Sequence, residues 1–319
     1  MFKLPELPSA QAAISELCDF AELIAWEQRT TSLQELLAYL GRIDENRFNV
    51  GCDDEDSRNS ELLDDVMLEL ERRENSCAGG YPFELTTQGT VLKDKQAACV
   101  QSSIYRYLLL STRLNMQSCR IHDGLDGTKL LEEVAALILR DYLGHRSFSC
   151  VFGTAQSDDG FTDKIKHLCV QLREGMGFET RPNSRSRIKA QDDKLDTVGW
   201  IPFADELPGK LIVFGQCKTG TNWTTVASQL QPREFIKRWF RKDFLIDPIR
   251  AFFVSEAPER SEWTDAAIYA GILFDRCRIV SLSHDVAAED CRRWTESAFR
   301  TFSISNALKN MTRKPKKGP

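Results

Sequence analysis

The chain has 319 residues and a mass of 36.3 kDa, with 42% hydrophobic and 28% charged residues. This is a globular mixture, so disorder along the whole chain is excluded, and the length suits about two domains. No run approaches the ~18 consecutive apolar residues of a spanning helix, and acidic residues interrupt the N-terminal stretch where a secretory signal needs an apolar core.

A cytoplasmic protein with no membrane contact is therefore expected. Ten cysteines stand singly, without a CxxC pair or a ligand-like spacing to the four histidines. They read as reduced thiols rather than a disulfide framework or a zinc site. Net charge is -5, unevenly spread: residues 1–123 carry 21 acidic and 12 basic residues, whereas the remainder carries 26 and 30. This asymmetry suggests a boundary near residue 120 and makes the later part the better candidate for meeting a polyanion.

The early segments read as helical. Ile14, Leu17, Cys18, Ala21, Ile24 and Ala25 recur at three- and four-residue spacing. Ser32 and Glu35 form a capping box for the next helix, which Gly41 is expected to end. The acidic NVGCDDEDSRNS reads as a loop before the helix ELLDDVMLELERRE, and AGGYPFELTTQGTVLK as a hairpin or irregular crossing. SSIYRYLLLSTRLNM closes a mainly helical domain over residues 1–120, a scaffold or a docking surface for a protein partner.

After residue 120 the pattern changes. GTKLLEEVAALILRDYLG is an amphipathic helix, FSCVFG a strand, DKIKHLCVQLREGMG a helix and RPNSRSRIKAQDD a basic connector. KLDTVGWIPF and KLIVFGQCKTG read as two strands flanking a polar turn. QPREFIKRWFRKDF is a basic helix, IRAFFVSE a strand, WTDAAIYAGILFDR a helix and CRIVSL a last strand. Alternating helices and strands predict an α/β domain over 121–305 with a central mixed sheet flanked by helices. Residues 306–319 form a basic tail expected to be disordered. No P-loop or dinucleotide fingerprint occurs.

One constellation carries chemistry. Asp196 lies on one predicted strand, and Gln216 and Lys218 lie two apart on the next, so they project from one face. A lysine buried without partners is costly. Carboxylate and amide oxygens beside a lysine suit a hard divalent cation. The expectation is that Asp196, Gln216 and Lys218 share one face and converge. A structural ion pair between Asp196 and Lys218 is the alternative.

These residues and the order of elements resemble the PD-(D/E)xK nuclease superfamily, in the QxK variant of Mrr-like restriction endonucleases, over about residues 125–285. The resemblance matches Leu131-Glu132 to the acidic residue of the first core helix, with Glu133 one residue away as the alternative. It matches Asp196 to the metal-binding aspartate and Gln216-Cys217-Lys218 to the (D/E/Q)xK element. Gly220-Thr221-Asn222-Trp223 is similar to uncharacterised bacterial proteins of this superfamily. The implied fold is a restriction-endonuclease-like core. The implied activity is Mg²⁺- or Mn²⁺-dependent hydrolysis of DNA phosphodiester bonds, as the nuclease effector of a bacterial restriction or anti-phage system. Glu132, Asp196, Gln216 and the Cys217 carbonyl would hold the metal, and Lys218 would act on water or the transition state. Gln216 stands where an acid is usual. A catalytically inactive binding or assembly module and an RNA-directed nuclease are the competing readings, and oligomer formation stays open.

Supporting cations flank the site. Arg181, Arg185, Arg187 and Lys189 precede the Asp196 strand, and Arg233, Lys237, Arg238, Arg241 and Lys242 follow Lys218. Both groups are placed to meet phosphates. Trp223, Trp239 and Trp263 read as packing residues.

Overall fold

A computed structural model describes all residues except 10, 44–51, 87–89, 97–98, 153–159, 177–192, 285–287 and 303–319. In chain order the elements are α1 (Ile14–Gln28), β1 (Thr30–Ser32), α2 (Leu33–Ile43), α3 (Cys52–Ser76), β2 (Phe83–Thr86), β3 (Val91–Asp94) and α4 (Val100–Arg113). Two-residue strands β4 (Ile121–His122) and β5 (Leu125–Asp126) follow. Next come α5 (Gly127–Leu143), β6 (Phe148–Val151), α6 (Phe161–Leu172), β7 (Thr197–Ile201) and β8 (Leu211–Lys218). The chain then forms α7 (Pro232–Trp239), β9 (Ile249–Val254), α8 (Trp263–Ala270), β10 (Ile272–Phe274), α9 (Arg276–Leu282) and α10 (Ala288–Phe302).

Two compact units result. The first takes residues 1–125, 256–259 and 276–319, and the second takes 126–255 and 260–275. The sequence reading placed 121–305 in one domain, whereas α9 and α10 join the first unit. Burial explains the difference: the Arg276 guanidinium is fully enclosed against Asp19, and Trp294 of α10 is fully buried with its Nε1 donating to the Arg120 carbonyl at 2.8 Å. The basic tail 306–319 and residues 181–192 of the basic connector lie outside the described residues.

In the first unit, α1 is buried along both its apolar and its acidic sides. Glu16, Asp19 and Glu22 are all enclosed, with Leu17, Phe20 and Leu23 between them. A helix buried all round needs partners for its charges. Arg73 of α3, Arg113 of α4 and Arg276 of α9 supply them. Tyr81 and Tyr105 each donate a hydroxyl to Glu22 at 2.8 Å. The Ser32–Glu35 cap forms at 3.0 Å, but α2 runs two residues past Gly41. The acidic run expected as a loop instead starts α3 at Cys52, compatible with the macrodipole's preference for negative charge at a helix N-terminus. The expected hairpin is β2 and β3, antiparallel, with β1 on the far side of β3.

The second unit is mixed α/β. Its five strands stand in the order β10-β9-β8-β7-β6; β7 is antiparallel to both neighbours, while β8, β9 and β10 are parallel. Helix α5 lies across β6, β7 and β8. Gly199 allows its close approach, because a Cβ there would stand 2.7 Å from Leu139. The opposite face buries Val198, Trp200, Ile212 and Phe214 against Ile165 and Leu168 of α6 and Phe235 and Trp239 of α7. Two assignments move. CRIVSL is helix α9, and the last strand is the upstream Ile272–Phe274, released from α8 by Gly271 at φ +77°.

Candidate metal-ligand and catalytic site

The site is built where β7 begins and β8 ends. Thr197 pairs with Gly215, and regular strand geometry would continue that ladder to Asp196 and Gln216. It breaks instead. The Asp196 N–H donates to the Gly215 carbonyl on β8 at 2.9 Å, while the Asp196 carbonyl accepts from Phe152 N–H, beyond β6, at 2.8 Å. In a regular antiparallel strand both groups of one residue point to the same neighbour. Asp196 is thus a bulge-like irregularity, and Leu195 and Val198, three apart, both enter one core cluster.

The carboxylate of Asp196 consequently follows no strand alternation. Its Oδ2 accepts the backbone N–H of Cys217 at 2.7 Å, and the side chain is buried, 6% exposed. The Cys217 N–H takes the direction that Gly215 uses toward β7, so the Cys217 carbonyl points to the same open edge.

Gln216 and Lys218 share one face, as expected from their spacing, together with Phe214. Gln216 is fully buried opposite Phe252, and neither its Oε1 nor its Nε2 has a hydrogen-bond partner among the described residues. A buried amide without partners costs about 1–3 kcal/mol. Lys218 is partly exposed at the strand end. The Asp196 carboxylate is held by the main chain of Cys217.

Glu132, in the second turn of α5, is buried, and Glu133 is half-buried. Burial pushes the Cys217 thiol up, the charges of Asp196 and Glu132 push it further, and Lys218 opposes them. A thiol so raised stays protonated at neutral pH and is no thiolate nucleophile. By alternation Cys217 lies on the α5 side of the sheet with Gly199 and Val213, whereas Gln216 and Lys218 project from the other. Asp196, at the strand end, is not committed to either side by the pleat.

Glu132, Asp196 and the Cys217 carbonyl offer oxygen donors, whereas the Gln216 amide projects from the sheet face opposite the one α5 covers, so the four expected ligands are divided between the two faces. Hard divalent cations take such oxygen ligands. No group of three or more His, Cys, Asp or Glu occurs in ligand-like arrangement among the described residues, and this donor set does not require one.

The flanking cations are less available than their number suggests. Arg238 is bound to Asp193 at 2.5 Å, whose Oδ2 also accepts from Trp239 Nε1 at 2.7 Å. Lys237 pairs with Glu234 at 3.5 Å and Arg233 with Asp247 at 3.9 Å. Arg241 and Lys242 are exposed. Arg181, Arg185, Arg187 and Lys189 lie outside the described residues. Trp223 and Trp239 are core residues, each 2% exposed, and Trp263 packs against the Trp223 cluster.

Sequence spacing did not show the Cys217 N–H contact. The three-residue step between Leu195 and Val198, one more than a pleat allows between residues of one face, is the signal that could have found it. No family model, curated protein or solved structure matches the chain.

Proposed function

We propose that this chain is a metal-dependent endonuclease of the PD-(D/E)xK type, acting on DNA as a bacterial defence effector. The observation that carries the reading is the buried Asp196 carboxylate held by the Cys217 N–H at the end of β8, one residue before Lys218. The fully buried, unpartnered amide of Gln216 in the next position supports it. Stability alone would have paired or removed the Gln216 amide. From α5 to β10 the elements run helix, strand, helix, two strands, helix, strand, helix, strand, an alternation that supports a restriction-endonuclease-like core, although the last strand is Ile272–Phe274 and not the CRIVSL segment the resemblance matched.

Glu132, Asp196 and the Cys217 carbonyl would hold Mg²⁺ or Mn²⁺; the Gln216 amide, the fourth ligand expected from the sequence, projects from the other face of the sheet. When bound, the ion supplies Lewis-acid polarisation of a phosphate oxygen and a lowered pKa for water. The Cys217 N–H sets the orientation of the Asp196 carboxylate. Lys218 provides a cation for the negative charge that develops on the scissile phosphate. Arg241 and Lys242 contribute to holding the polyanion near the second unit.

The test is incubation of the pure protein with plasmid and with a structured RNA, with and without Mg²⁺ or Mn²⁺. Metal-dependent cleavage of plasmid that is lost in Lys218→Ala is the expected result. Cleavage of RNA alone would move the assignment to an RNA-directed nuclease. The pairing of α7 cations with Asp193, Glu234 and Asp247 favours a second reading, a non-cleaving assembly module. That reading gains if the protein binds no Mn²⁺ and cleaves neither polymer.

A further inference from the structure

Gly215 sits opposite Thr197, at the last regular pair before the irregularity at Asp196. A Cβ at position 215 would stand 2.5 Å from Thr197 Cγ2 and 3.1 Å from Phe253 Cε2. No side chain therefore fits there without displacing Thr197. Thr197 cannot move freely: it is fully buried, and its Oγ1 donates to the Cys150 carbonyl at 3.1 Å. The same Gly215 supplies the carbonyl that accepts the Asp196 N–H. Close approach of β7 and β8 at this pair and the placement of the Asp196 carboxylate on Cys217 N–H are thus one geometric arrangement.

We propose that Gly215 and Thr197 are positioning residues for Asp196, acting through the spacing of β7 and β8 rather than by touching metal or substrate. The inference rests on the nuclease reading for its meaning, but its geometry stands apart from it. A larger residue at 215 pushes Thr197, and with it the adjacent Asp196, away from Cys217. Removing only the Thr197 Cγ2 methyl, as Thr197→Ser does, relieves the conflict and keeps the hydroxyl that bonds Cys150.

The experiment uses the full chain in five forms: wild type, Gly215→Ala, Thr197→Ser, the double variant, and Gly199→Ala. The last is a control, because its Cβ meets Leu139 and Leu143 on α5 instead of the Asp196 strand end. Three quantities are measured: melting temperature, Mn²⁺ affinity by calorimetry, and amide hydrogen exchange of Cys217 by NMR. Gly215→Ala should speed Cys217 exchange and weaken Mn²⁺ binding by about 10-fold or more, the size of effect expected when a ligand's support is lost. The double variant should recover both, and Gly199→Ala should lower the melting temperature while leaving both unchanged. Wild-type Cys217 exchange in Gly215→Ala, or no recovery in the double variant, overturns the inference. Were wild type to bind no Mn²⁺, the nuclease reading would fall, and Cys217 exchange would still decide the positioning role.

Discussion

Arg276 and Asp19, 257 residues apart in the chain, form a bidentate pair with both side chains buried: Nη1 to Oδ1 at 2.8 Å and Nη2 to Oδ2 at 3.0 Å. Arg73 and Arg113 bind the same carboxylate at 2.7 Å each. Burial alone would raise the Asp19 pKa, but the Arg276, Arg113 and Arg73 guanidiniums outweigh it and hold the carboxyl well below the usual range. Removing one partner of such a group leaves an uncompensated buried charge, so Arg276→Ala should cost about 3–5 kcal/mol in a urea melt. The first unit should fail to fold when the chain stops before residue 276.

The same pair sets an acid dependence. A depressed carboxyl pKa adds stability that is present above the unfolded value, about 3.9, and is lost as pH falls toward the folded value. Stability from Asp19 should therefore be level from pH 7 down to about 4 and decline below it. Asp19→Asn should be less stable at neutral pH and show a shallower acid limb in melts taken across pH 2–7, a range set by those pKa values. Equal acid limbs in the two proteins would contradict this.

Lys3 gives the opposite slope. Burial, reinforced by Arg113 and opposed by Glu256, Asp19 and Glu16, brings its pKa down from 10.5 to about 8. The unfolded chain holds the proton more tightly, so this group's penalty is largest below pH 8 and fades as pH rises toward 10.5. Its ammonium donates to the Thr112 carbonyl. Lys3→Met should gain stability relative to wild type at pH 7, and the gain should shrink steadily by pH 10, as followed by melting temperature.

Lys218→Ala and Asp196→Ala should separate chemistry from stability. Lys218 is partly exposed at the end of β8, so its loss should leave the melting temperature and Mn²⁺ binding nearly unchanged while cleavage falls by orders of magnitude. Asp196→Ala strips the Cys217 N–H of its acceptor, a cost of about 1–3 kcal/mol for a buried donor. It should lower the melting temperature as well as Mn²⁺ affinity. Full cleavage by a folded Lys218→Ala protein would end the nuclease assignment.

Gln216→Met tests the buried amide. Replacing an amide that finds no hydrogen bond with an apolar chain of similar length should raise stability by about 1 kcal/mol or more. If the amide oxygen serves a cation, Mn²⁺ affinity should fall in the same variant, a trade of function for stability. A loss of stability with unchanged affinity would show that the amide has a structural partner instead.

Local pattern alone carried much of this chain. The Ser32–Glu35 cap, the hairpin of β2 and β3, the amphipathic α5 and the β7–β8 pair were legible because each depends on side-chain period or a neighbour within a few residues. Gln216 and Lys218 sharing a face follows from their spacing in the same way. Other features were decided only by tertiary contact. CRIVSL has the β-branched composition of a strand, yet Arg276 at its start is drawn into the Asp19 network, and the segment is helical. The acids of α1 look solvated in sequence but are enclosed by arginines 51 to 257 residues away. The direction of Asp196 depends on an irregularity held by Gly215 and Phe152, and on an N–H that Cys217 offers whatever its side chain. Period and composition describe one segment at a time, whereas a buried charge or a bulge is set by which distant groups satisfy it.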